Sequence, residues 1–173
     1  MKDPLALENR RRIFEHIGKK PGTHIREMER ELGLSIGVLT YHLDQLEMSG
    51  LIRSEGENRK SYFRTKDFTK ADRQLIANLR SKRAEQIALA LLEKDGLSFR
   101  EIREKLRVSN STLSYHMGRL ERMEIVTTSK VEREKVYHLK DREAVHLALM
   151  TIEKTEDPVA IFIRIWDALS KKE

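Results

Sequence analysis

Apolar residues in this chain fall into short runs at helical spacing, broken by polar turns. Ile13, Phe14 and Ile17 form the first run, Ile25, Met28 and Leu32 the second, and Leu39, Leu43 and Leu46 the third. Steps of three and four place each set on one face of a helix. Pro21-Gly22 stops the first helix, and Gly33-Leu34-Ser35 separates the second from the third. Gly33 suits the left-handed position after a helix, and Ser35 suits an N-cap. The period then changes. Gly50-Leu51-Ile52-Arg53 and Tyr62-Phe63-Arg64 read as two short strands around a polar loop that contains Gly56 and Asn58.

The same order returns 74 residues later, with Leu39-Thr40-Tyr41-His42-Leu43 answered by Leu113-Ser114-Tyr115-His116-Met117. Over the gap-free stretch from Gly22–Glu47 to Gly96–Glu121, ten of 26 positions are identical. Two copies of one supersecondary unit account for this. In the second copy Ile87, Leu91 and Leu92 line the first helix, and Phe99, Ile102 and Leu106 the second. Ser98-x-x-Glu101 is a capping box for that second helix. Leu113, Met117 and Leu120 line the third. The third helices are expected at about 36–48 and 110–123. Ile125-Val126-Thr127 and Val136-Tyr137-His138 are the expected strands, with Lys130, Arg133 and Lys135 in the loop. Copy two departs at two glycines: Arg107 stands where copy one has Gly33, and Glu124 where it has Gly50.

Helix, helix-turn-helix, then hairpin is the winged-helix arrangement. The expected fold is mainly α with small β-hairpins (α+β): two tandem winged helix-turn-helix domains plus C-terminal helices. The expected division is 1–66 for the first domain, 67–81 for a helical connector, 82–140 for the second domain and 141–173 for a helical segment. Leu75, Ile76 and Leu79 give the connector its apolar face. Asp157-Pro158 starts a last helix whose apolar residues lie on more than one face. Phe162, Ile165, Trp166 and Leu169 are the expected contacts of a homodimer.

Composition narrows the classes. The formal net charge is +6 and the pI about 9.5, which suits a polyanion partner. The chain has no cysteine, which excludes disulfides, thiolate zinc sites and cysteine nucleophiles. The eight glycines are scattered, so no phosphate-cradling loop forms, and the six histidines show no metal-ligand or catalytic spacing. No enzymatic activity, cofactor or metal is therefore expected. With no long apolar run and no apolar signal core after Met1-Lys2-Asp3-Pro4, a cytoplasmic location without membrane contact is expected.

The run from Gly22 to Arg53 resembles archaeal tandem winged-helix transcriptional regulators. It carries Ile25-Arg26-Glu27, Leu32-Gly33-Leu34-Ser35, Gly37-Val38-Leu39-Thr40-Tyr41-His42-Leu43 and Gly50-Leu51-Ile52. Each copy also resembles the ArsR-type repressor domain. The resemblance covers about residues 6–66 and 82–140. It implies that the third helix enters the major groove of double-stranded DNA, where base edges present distinct donors and acceptors. Outward positions on the first such helix are Ile36, Gly37, Thr40, Tyr41 and Gln45. Those on the second are Asn110, Ser111, Ser114, Tyr115 and Arg119. Arg119 is the candidate for a guanine contact and Gln45 for adenine. Arg59 and Lys60 in one wing, and Arg133 and Lys135 in the other, are expected on the backbone. His42 and His116 are expected to be structural and hydrogen-bonded, and Arg10-Arg11-Arg12 to be a solvated helix face. Two other readings stay open: a winged-helix module that binds a protein of the transcription or chromosome machinery, and a chromatin-type binder without sequence preference.

Overall fold

The computed structural model describes residues 4–57 and 59–153. The chain divides into two compact units, residues 1–77 and 78–173. Unit 1 runs α1 (Glu8–Lys19), α2 (Ile25–Leu32), α3 (Ile36–Met48), β1 (Ile52–Glu55), β2 (Ser61–Arg64) and then α4 (Lys70–Leu79), within which the division falls. Unit 2 continues with α5 (Lys82–Glu93), β3 (Leu97–Ser98), α6 (Phe99–Leu106), α7 (Asn110–Arg122), β4 (Val126–Val131), β5 (Glu134–Leu139) and α8 (Arg142–Glu153). The chain is mainly α with small antiparallel hairpins, and each unit has the winged-helix order.

The predicted inner faces form the core of unit 1. Ile13, Ile17, Met28, Leu39, Leu43 and Leu46 are buried together with Ile52 and Tyr62. Each contributes about 1.5–3 kcal/mol of burial relative to exposure. Arg64, at the end of β2, reaches under α1: its Nε donates to the Phe14 carbonyl at 3.0 Å. Its guanidinium lies 4.3 Å from the Phe14 ring centre. The space is left by Gly18, where a Cβ would collide with that guanidinium.

The arginine run does more than face solvent. Arg12 donates to the Leu32 carbonyl at the end of α2, and Arg10 is half-buried and donates to Pro4 O. Arg11 alone of the three is an exposed side chain with no hydrogen bond among the described residues.

The turns of the two copies keep one backbone despite their different residues. Gly33 has φ 67°, ψ 23°, and Arg107 has φ 50°, ψ 52°. After the third helix, Leu51 N–H donates to Leu46 O and Ile125 N–H to Leu120 O, both at 3.0 Å. Gly50 has φ 71° and Glu124 φ 54°. This is the six-to-one closure of a helix end. Copy two therefore does not take another turn; it holds L-residues in the left-handed region, at a cost of about 1–2 kcal/mol each before compensation.

The wings differ. In unit 1, β1 pairs with β2 from Ile52↔Arg64 to Glu55↔Ser61, and Thr23 bridges to Tyr62. In unit 2, β4 pairs with β5 from Val126↔Leu139 to Val131↔Glu134, and β3 adds at Leu97↔Tyr137. Tyr137 thus matches Tyr62, one position further along than the gap-free repeat implies. The second hairpin is longer than the expected strands. It closes on Glu132 and Arg133, both at positive φ, so Lys130 and Lys135 lie opposite each other on strands rather than in a loop.

The connector is helical as α4, and Thr69 and Asp72 bond reciprocally at its start. It stops at Leu79, and Ser81 caps α5 separately. In unit 2, Val145, Ala148 and Leu149 of α8 are buried. Arg142 donates to the Leu91 and Leu92 carbonyls at the end of α5. A cation there also complements the helix dipole. Phe162, Ile165, Trp166 and Leu169 lie outside the described residues.

Candidate nucleic-acid interface

Both third helices begin on a serine cap. Ser35 accepts from Val38 N–H at 3.5 Å, and Ser109 accepts from Thr112 N–H at 3.2 Å. Burying Leu39, Leu43 and Leu46 on one helix, and Leu113, Met117 and Leu120 on the other, turns the opposite faces outward. On α3, Gly37, Thr40 and Tyr41 are exposed, and Ile36 and Gln45 are half-buried. On α7, Asn110, Ser111, Ser114 and Tyr115 are exposed, and Arg119 is half-buried. The tyrosines stand out most, at 56% exposure for Tyr41 and 63% for Tyr115. Each packs its ring edge on the following histidine, with centroids 5.2 Å apart in both copies. This rules out a core position for either ring.

Several candidate side chains are already engaged within the chain. Arg119 donates to Asn78 Oδ1 at 3.0 Å. Asn110 Oδ1 accepts from Arg103, Ser111 Oγ lies 3.1 Å from Ser109 Oγ, and Gln45 donates to Met48 Sδ. Lys60 Nζ is 3.7 Å from Glu47, and Lys135 Nζ is 2.8 Å from Glu121. These two pairs occupy the same place in the two copies and tie each wing to its third helix. The Glu121 bond also raises the Lys135 pKa. His24 adds a second tie, its ring bonded to the Lys60 carbonyl at 2.9 Å. Arg59 and Arg133 are exposed and make no ion pair among the described residues.

The two central histidines depart from expectation. His42 is buried, yet its Nδ1 has no hydrogen-bond partner among the described residues. Burial, then the Arg10 charge, lowers its pKa. His116 is half-buried, and its pKa is lowered by burial and then by Arg119 and Arg83. Both rings are thereby held neutral near pH 7. Among the described residues there is no group of three or more His, Asp or Glu side chains that could hold a metal. No helix there is long and apolar enough to cross a membrane.

The sequence missed two residues on these faces. Met48 is 81% exposed at the end of α3, and Arg122 is exposed at the end of α7. The helical step from Ser111 through Tyr115 and Gly118 to Arg122 was the signal that could have found the second.

Two family models agree with this architecture. Residues 7–76 match the family described as an N-terminal HTH domain. Residues 81–127 match the winged helix-turn-helix DNA-binding family. Both are families of DNA-binding domains, not of enzymes. An uncharacterized HTH-type transcriptional regulator of Methanocaldococcus jannaschii is 28% identical over 137 residues. That match covers 79% of this chain and 34% of the relative, so the chain spans about a third of that protein's length. A solved structure of a ZitR variant from Lactococcus lactis is 17% identical. It covers 75% of this chain and 83% of its own, at a TM-score of 0.37. The chain therefore carries two winged helix-turn-helix units in tandem, each matched by a helix-turn-helix family model, and is similar in sequence to an archaeal HTH-type transcriptional regulator.

Proposed function

We propose that the chain is a sequence-specific, double-stranded DNA-binding transcriptional regulator. The observation that carries this is the repeated outward face of the third helix. In both copies it follows a serine cap, presents small or hydroxyl side chains such as Gly37, Thr40, Ser111 and Ser114, and bears one exposed tyrosine. Such a face fits the major groove, where short side chains allow close approach and hydroxyls meet base edges. Thr40, Tyr41 and Gln45 in one copy, and Asn110, Ser111, Ser114 and Tyr115 in the other, are the proposed reading positions. Arg119 joins them only by giving up its bond to Asn78. Arg59 and Arg133 are the proposed backbone contacts of the wings; Lys60 and Lys135 serve there by exchanging a carboxylate for a phosphate.

One observation favours a second reading for unit 1. Val38, Tyr41 and Met48 expose apolar surface on α3, and α3 carries no Lys or Arg. A protein partner of the transcription machinery fits that face. The homodimer is proposed from the apolar residues Phe162, Ile165, Trp166 and Leu169. Trp166→Glu should then yield monomers in sedimentation, and an unchanged dimer rejects that interface.

The test of the main reading is binding to own-promoter and random duplexes across a salt series. A promoter preference, with about 0.9 of slope per phosphate contacted, supports a specific regulator. Salt-sensitive binding without preference supports a chromatin-type role. No binding at low salt moves the search to protein partners.

A further inference from the structure

We infer that unit 2 is the half of the chain that anchors the duplex, and that Arg122 is a DNA contact on α7. This assignment rests on the DNA-binding reading proposed above. It comes from comparing one stripe on two helices. Steps of four, three and four residues align Ser111, Tyr115, Gly118 and Arg122 along a single line of α7. The same steps on α3 align Gly37, Tyr41, Asp44 and Met48. The tyrosine is shared. Beyond it, α7 presents a glycine and a guanidinium, whereas α3 presents a carboxylate and a thioether.

The surroundings sharpen the contrast. Arg122 is exposed, with no hydrogen bond or ion pair among the described residues. Its NH1 lies 3.6 Å from where a Cβ on Gly118 would stand. The guanidinium therefore folds back along the helix, over the bare backbone and toward Tyr115. The acids nearest in sequence are already paired elsewhere: Glu121 with Lys135 at 2.8 Å and Glu124 with Lys140 at 2.6 Å. Arg119 is taken up by Asn78. Arg122 is thus an uncompensated cation on the line of the exposed tyrosine, and its planar fork suits a phosphate or a guanine edge. On α3 the charges are Asp44 and Glu47, with Lys60 only 3.7 Å from Glu47. A polyanion is attracted by the first stripe and repelled by the second.

The experiment uses the full chain and a short fluorescent duplex of a sequence it binds, with anisotropy read across a salt series. Arg122→Met is expected to weaken binding about ten-fold and to remove about 0.9 from the slope of log affinity against log salt. Arg122→Lys should keep the slope. Met48→Ala, at the matching place on α3, should leave affinity and slope within about two-fold. Unchanged melting by circular dichroism keeps these effects separate from folding. Wild-type binding combined with an unaltered Arg122→Met slope overturns the assignment alone, as does a Met48→Ala loss as large as that of Arg122→Met. A wild-type chain that binds no duplex at low salt overturns both the assignment and the DNA-binding reading.

Discussion

Replacing Gly18 with alanine should change sign with its background. Alanine in an exposed helical position gains up to about 1 kcal/mol over glycine. Here the new Cβ would fall on the Arg64 guanidinium. The arginine is flexible, so it moves aside, and the cost is what it gives up at its present place. One part is its charged hydrogen bond to the Phe14 carbonyl at 3.0 Å, worth about 1.5 kcal/mol at this half-buried position. The other is the stacking 4.3 Å from the Phe14 ring, worth about 0.5–1 kcal/mol. The loss of about 2 kcal/mol exceeds the gain, so Gly18→Ala should destabilise unit 1 by about 1 kcal/mol. For a domain of this size that lowers the melting temperature by roughly 4–8 °C. In an Arg64→Ala background the obstacle is gone, and the same substitution should stabilise by up to about 1 kcal/mol. Thermal melts of the four proteins form a double-mutant cycle with a coupling of about 2 kcal/mol. Equal effects of Gly18→Ala in the two backgrounds would refute the argument.

Three further outcomes are expected. Arg107→Gly should stabilise unit 2 by about 0.5 kcal/mol and Gly33→Ala should destabilise unit 1 by about 1 kcal/mol, because the left-handed φ is relieved in one and loaded in the other. Nothing lies within 4 Å of a Cβ at Gly33, so strain alone decides that case, and thermal melts of opposite sign check it. The depressed pKa values of His16 and His42 stem first from burial. Their contribution is complete above the ordinary value of 6.5 and declines as pH falls below it, so the melting temperature should drop from pH 7 to pH 5, less so in His42→Asn. Ser98→Ala should cost about 1 kcal/mol by removing the cap of α6. Glu101, held at about 2 by Lys94 and then by Ser98, favours folding above the usual carboxylate range, and this is lost as pH falls toward 2; a Ser98→Ala melt that matches wild type throughout counts against the cap.

The helices were legible because their inner faces repeat without a gap, so each copy checks the other. Arg107 and Glu124 were legible as departures, although nothing in their letters said that the backbone would stay left-handed. The second wing was less so. One extra residue shifts Tyr137, not Val136, onto the place of Tyr62, and Glu132-Arg133 carries no Gly or Asn to announce a tight turn. β3 is two residues long, too short for any period to show. On the candidate site, periodicity separated inside from outside but not bonded from unbonded. Arg119 looked outward by helical spacing and Lys135 by its place in the wing, yet Asn78 and Glu121 occupy them. Such partners come from α4 and from strand register, which a local pattern does not contain.

Among the described residues, the four L-residues at positive φ all belong to unit 2: Arg107 before α7, Glu124 after it, and Glu132 and Arg133 at the tip of its hairpin. After a duplication, a glycine in a turn can be replaced only while the remaining domain tolerates the lost stability. Arg107 and Glu124 each put a side chain where the sister copy has glycine. Unit 2 has accepted strain on both flanks of its third helix and displays two charged side chains there, Arg107 and Glu124, in exchange. A chimera exchanging α3 for α7 within intact turns would therefore transfer the helix face without its charged frame. Divergence between the repeats is written in their corners as well as in their recognition helices.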